Sequence, residues 1–219
     1  MRRETLDENI AQLQSLLGEL ADAAAVACRS ASTGLLEGNT RLAEQVVGRT
    51  PAIDERRAAI ELLAVETIGI FAPVGPDMRA VVWAFQSAHE LARVNDLARH
   101  VAESSLRHGP RSAVPEVAHD PVVAIADAAA AMMGKVAEVL RTRNVILALE
   151  LATDDDRVDE LHRDLFALMF GERWTCGIPA AVDLTLLARF YERIADHAVA
   201  LAERTVFMVT GQHPEALQV

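Results

Sequence analysis

The second half of this 219-residue chain repeats the first, and no other feature limits the fold as much. At a shift of 105 positions, LLEGN (35–39) lies on LRTRN (140–144), and AIDE (52–55) on RVDE (157–160). At a shift of 100, RVNDLARHVAE (93–103) lies on RIADHAVALAE (193–203), with Arg, Asp, two Ala and Glu identical. The shift changes in the loop between the second and third segment of each unit, where insertions are tolerated.

Each unit reads as three helices. Ile10, Leu13, Leu17, Leu20, Ala24 and Ala27 recur at helical spacing. Helices are expected over Asp7–Leu36, Thr40–Ile70, Asp77–Leu106, 121–142, 144–170 and 179–210, with Gly38-Asn39 and APVGP (72–76) as breaks. The expected organisation is a first repeat over 1–107, a linker over 108–120, a second repeat over 121–212 and a tail over 213–219 that frays. Helices of thirty residues reach roughly 45 Å. The expected fold is all-α: two tandem three-helix bundles with short turns.

Composition narrows the function. Half of the residues are apolar, aromatics are few, and the net charge is −11, which argues against nucleic acid as a partner. The two cysteines, Cys28 and Cys176, fit neither a disulfide framework nor a zinc motif, and a cytoplasmic location is expected. MRRETLDENIAQ has no signal-peptide core, and the most apolar run (58–72) is broken by Glu61 and Glu66, so no membrane insertion is expected. No Gly-rich phosphate loop and no nucleophile setting is present, so no catalytic residue is assigned and the chain is not read as an enzyme.

The carboxylates are the chemical signal. Asp155 and Asp159 are four apart on the fifth helix, and Glu192 and Asp196 four apart on the sixth. Like charges at that spacing cost a helix roughly 0.2–0.5 kcal/mol per pair. Helical geometry turns Glu192 and Asp196 away from the core stripe of Leu187, Phe190, Ile194 and Leu201. The repeat equates Asp159 with Asp54 and Asp196 with Asp96, but Asp155 with Thr50 and Glu192 with Ala92. The second half thus has two complete acidic pairs, and the first half keeps one carboxylate of each. Such an oxygen-only set suits hard cations. A solvated acidic face neutralised by Arg157 and Arg193 is the competing reading, and Thr153 with Asp154–Asp156 also fits an N-cap. The duplication favours metal. Asp159-x-x-His162 is half of a ferritin-like ligand motif whose second copy is missing. His89 and His100 read as surface or partner residues, His197 points about 100° away from Asp196, and Met78, Trp83 and Phe85 read as core.

AIDE (52–55), APVGPDMRAV (72–81), ARVND (92–96), DRVDE (156–160) and YERIADHA (191–198) together resemble the PhoU family of phosphate-uptake regulators over about residues 5–212. The wording is most similar to its actinobacterial branch. The resemblance implies tandem three-helix bundles, each with an E/D-x-x-x-D motif pair that some members use to hold surface metal clusters. Carried over, the motifs match at Asp155, Asp159, Glu192 and Asp196, and only at Asp54 and Asp96 in the first half. The expected cofactor is a divalent or ferric ion (iron, manganese, magnesium or zinc), with no organic cofactor. The implied role is negative regulation of phosphate uptake and phosphate-starvation signalling. The implied partners are the ATPase subunit of the phosphate transporter, a sensor histidine kinase and a second copy in a homodimer. A ferritin-like metal-storage or enzymatic bundle is the alternative.

Overall fold

The computed structural model describes residues 2–109 and 112–216. Among them are six long helices and no strand: α1 (Arg2–Glu37), α2 (Thr40–Phe71), α3 (Pro76–His108), α4 (His119–Thr142), α5 (Val145–Phe170) and α6 (Gly177–Thr210). Single 3-10 turns, Glu116–Ala118 and Pro214–Ala216, precede α4 and follow α6. Every expected helix is present, and most run one to five residues further than the apolar pattern indicates. The expected linker is shorter than drawn, because α3 continues to His108 and α4 starts at His119. Part of that linker, 110–111, and the end of the tail, 217–219, lie outside the described residues.

The duplication includes the helix caps. Gly38 is left-handed (φ 65°) and Asn39 accepts a hydrogen bond at the start of α2 from the Leu42 amide at 3.3 Å. At the equivalent turn Arg143 is left-handed (φ 57°), and Asn144 accepts from the amides of Ile146 and Leu147 at 3.0 and 3.2 Å. In each case an asparagine oxygen satisfies amides that the first turn leaves without helical partners. The α2–α3 break is made by left-handed Ala72 (φ 47°) and by Pro76 in the first turn of α3.

Helices α1, α2 and α3 pack on one another, as do α4, α5 and α6; α1–α4 and α3–α6 contacts join the two bundles. Helices α2 and α5 therefore lie on the outer flanks. The shared core is rich in leucine and alanine, including Leu17, Leu20, Leu91, Ile125, Met133, Leu151 and Leu201. Small alanines let long helices approach closely over their full length. Trp83 is buried as expected, whereas Phe85 only flanks the core.

Polar contacts cross between the halves. Trp83 Nε1 donates to Thr205 Oγ1 at 3.0 Å, and the buried Tyr191 hydroxyl lies 3.0 Å from Ser32 Oγ. A buried hydroxyl without a partner costs about 1–3 kcal/mol, so these pairs favour one packing of bundle on bundle.

Candidate metal-binding face

Helix α5 runs unbroken through Thr153 and Asp155, so the N-cap reading of that segment is replaced by a helix interior. Leu151, Val158, Leu161 and Leu165 face the core. The three aspartates in TDDD fan out at about 100° each. Asp154 turns toward α4, where Lys135 Nζ is 2.7 Å away; Asp155 turns toward α6 and is half-buried; Asp156 is exposed.

Asp155 reports the electrostatics of the face. Burial is the largest cause that pushes its carboxyl up to about 6, followed by the negative charges of Asp159, Asp196, Asp156 and Glu192. The fold thus gathers the four residues singled out in the second half into one field. Glu192 is half-buried rather than fully turned to water, because its side chain lies in the α5–α6 groove. Its carboxylate pairs with Arg189 one turn back, and His162 Nε2 lies 4.0 Å away. That imidazole nitrogen is buried and has no hydrogen-bond partner.

The carboxylate oxygens under mutual repulsion suit a hard cation, and the unpartnered ring nitrogen beside them suits a borderline ion such as iron or zinc. The side chains do not yet converge. Among the described residues no three His, Cys, Asp or Glu side chains lie close enough to hold one ion. A cation bound here has to draw Asp155, Asp159, Glu192 and Asp196 together and displace Arg189 from Glu192. The face lies on the outside of the α5–α6 pair, whereas a ferritin-like centre lies in the bundle core.

The first half is different. Asp54 is exposed, with Arg57 Nε 3.9 Å away, and Arg57 also pairs with Glu61. His89 Nε2 lies 3.3 Å from the same Glu61. Asp96 has Arg93 at 3.6 Å and Arg99 at 3.8 Å. Thr50, the counterpart of Asp155, places Oγ1 in a buried position with no partner. Arginines neutralise what remains of this motif.

Sequence reading assigned the neutralising role in the second half to Arg157 and Arg193, and the structure corrects both. Arg157 pairs with Glu160 at 3.1 Å, and Arg193 faces a cleft toward α3. The missed residue is Arg189, for which the i, i+3 spacing to Glu192 was the available signal. His197 faces away from Asp196, as helical geometry requires, and meets Glu90 of α3 at 2.7 Å.

A duplicated three-helix bundle with an acidic outer face on its second copy defines a class of tandem helical-bundle proteins, and comparison with known proteins gives the family. The PhoU domain model matches twice, over residues 17–105 and 122–205. The chain is 38% identical to "Phosphate-specific transport system accessory protein PhoU homolog 1" of Mycobacterium leprae, covering 97% of this chain and 96% of that protein. It is 36% identical to "Phosphate-specific transport system accessory protein PhoU homolog 2" of Mycobacterium tuberculosis, covering 97% and 100%. The crystal structure of the phosphate transport system regulatory protein PhoU from Streptococcus pneumoniae superposes with a TM-score of 0.84 at 20% identity, covering 95% of this chain and 98% of that one. PhoU from Pseudomonas aeruginosa gives 0.78 at 21% identity, covering 96% and 98%. The chain belongs to the PhoU family. Among the described residues, no helix is long and apolar enough to cross a membrane.

Proposed function

We propose that this chain is a negative regulator of phosphate uptake: a cytoplasmic adaptor between the ATPase of the phosphate-specific transporter and a sensor histidine kinase. The observation that carries the reading is the likeness over 97% of the chain to accessory proteins of that transport system, at 36–38% identity. Apolar side chains left open beside the α5–α6 loop, Phe170, Ile178 and Val182, offer the kind of surface an adaptor uses. In this reading the α5–α6 face holds a divalent or ferric cation through Asp155, Asp159, Glu192 and Asp196, and the chain acts as a homodimer.

Deletion of the gene tests the regulatory role. Transporter genes should then be expressed in rich phosphate, and a tagged copy should restore repression and capture the transporter ATPase. Unchanged expression in a strain without a second homologue overturns it.

A further inference from the structure

A cleft between α3 and α6, about 520 Å³ in volume, gathers three arginines and two histidines in a chain whose net charge is −11. Helix α3 contributes Arg93, Arg99 and His100; helix α6 contributes Arg193 and His197, with Phe190 as an apolar wall. Arg93 and Arg193 are equivalent positions of the repeat. Packing α3 on α6 therefore aims two copies of one arginine into the same cleft from opposite halves of the molecule.

The carboxylates nearby engage every basic group of this set except Arg193. Glu103 is 3.2 Å from His100 Nδ1 and pairs with Arg99, and Glu90 is 2.7 Å from His197 Nδ1. Asp96 lies within 4 Å of both Arg93 and Arg99, and it is the one carboxylate lining the cleft. Arg193 makes no ion pair among the described residues. Guanidinium forks match tetrahedral oxyanions through paired N–H donors. Asp96, an obstacle to a fully ionised anion, becomes a selector for an anion that keeps a proton near neutral pH. A phosphoryl group that keeps one can donate O–H to Asp96, and sulfate has none to donate. The volume lies in the range of small-molecule sites and admits more than a bare oxyanion.

We infer that the α3–α6 cleft binds a protonated phosphoryl oxyanion, clamped between Arg93 of the first half and Arg193 of the second, with Asp96 accepting its hydrogen bond. Such a ligand joins the two bundles directly and biases how they pack. The chemistry is shared by free orthophosphate and the terminal phosphate of a nucleotide.

Calorimetric titration of the full chain decides the matter. The protein is first stripped of metal with a chelator, so that neither binding nor its failure reflects the acidic α5–α6 face or the adaptor role. Orthophosphate, ATP and sulfate are titrated separately near neutral pH at low ionic strength. Saturable binding of orthophosphate or ATP is expected, with sulfate weaker. The tighter of the two phosphoryl ligands identifies the source. Arg93→Ala and Arg193→Ala should each weaken binding roughly tenfold. Arg56→Ala, which removes an exposed arginine elsewhere on α2, should leave it unchanged. Asp96→Asn should reduce the preference over sulfate. Absence of saturable binding by the wild-type chain overturns the inference, as do wild-type affinities in both arginine variants. Sulfate binding equal to that of both phosphoryl ligands overturns the assignment of Asp96 and of the ligand class.

Discussion

The α2–α3 and α5–α6 faces are built from the same repeat, and they have diverged in how they treat negative charge. On α5–α6 partial burial of Asp155, and then the negative charges of Asp159, Asp196, Asp156 and Glu192, raise its proton affinity. On α2–α3 Thr50 stands where the half-buried Asp155 does and Ala92 where Glu192 does, and Arg57, Arg93 and Arg99 attend the two carboxylates that remain. The first face has relaxed into ordinary surface ion pairs, worth at most about 1 kcal/mol each. The second retains a repulsion that nothing in the apo fold requires. In the proposed reading a bound cation relieves that repulsion.

The largest expected effect breaks the second face. Replacing Glu192 and Asp196 together by Gln and Asn preserves shape and removes two anionic ligands. Affinity for manganese or ferric iron should fall by at least about a hundredfold, because charge-assisted contacts contribute roughly 1.5–3 kcal/mol each. Metal analysis after chelation and reloading measures it. Equal metal content in variant and wild type removes these residues from the ligand set.

The converse experiment sharpens the comparison. Thr50→Asp with Ala92→Glu restores the missing acids of the first half. If position and carboxylate count are what matter, the variant gains a second, weaker site, with affinity raised about tenfold over the native first face. Arginine competition should keep it below the native second site. No gain would show that the α5–α6 groove carries geometry the motif alone does not.

A smaller effect concerns protons. The folded Asp155 titrates at about 6, against an ordinary value of 3.8. The folded state therefore binds this proton more tightly than the unfolded chain does. Its contribution favours folding when protonated and is lost as pH rises from 3.8 to about 6. Asp155→Asn should remove that slope and stabilise the metal-free protein above pH 6 by about 1 kcal/mol, after allowance for solvent screening of a half-exposed group. Urea melts at several pH values test this. A steeper slope in the variant would contradict the assignment.

How far such differences could be read from sequence depends on their range. The six helices follow from apolar spacing and from turns such as Gly38-Asn39, which act locally. That Asp155 feels the charge of Asp196 was legible because the repeat placed an acidic pair on each of two adjacent helices. The α3–α6 cleft was not, since Arg93 and Arg193 are a hundred positions apart and meet only after the bundles dock. Burial of His162 Nε2 was invisible for a related reason: one acid-x-x-His copy cannot show whether its histidine faces water or a groove. Helix ends went further than expected because polar residues such as His108 and His119 extend a helix without adding to its apolar stripe.

The smallest expected effect distinguishes two arginines that look alike. Arg57 pairs with Glu61 on α2, and Arg189 pairs with Glu192 on α6. Each is a same-helix pair near solvent, so Arg57→Ala and Arg189→Ala should each cost the metal-free protein about 0.3–0.5 kcal/mol. With metal present the two should separate. Arg57 lies on a face without a complete ligand set, and its loss should leave metal affinity unchanged. Arg189 competes with the cation for Glu192, so its removal frees a ligand and strengthens the negative field around Asp155. Metal affinity should rise about two- to threefold, and the metal-bound Arg189→Ala protein should regain or exceed wild-type thermal stability through ligand linkage. Paired melting curves with and without manganese read both quantities. A loss of affinity in Arg189→Ala would mean that the arginine orients Glu192 for the metal rather than occupying its place.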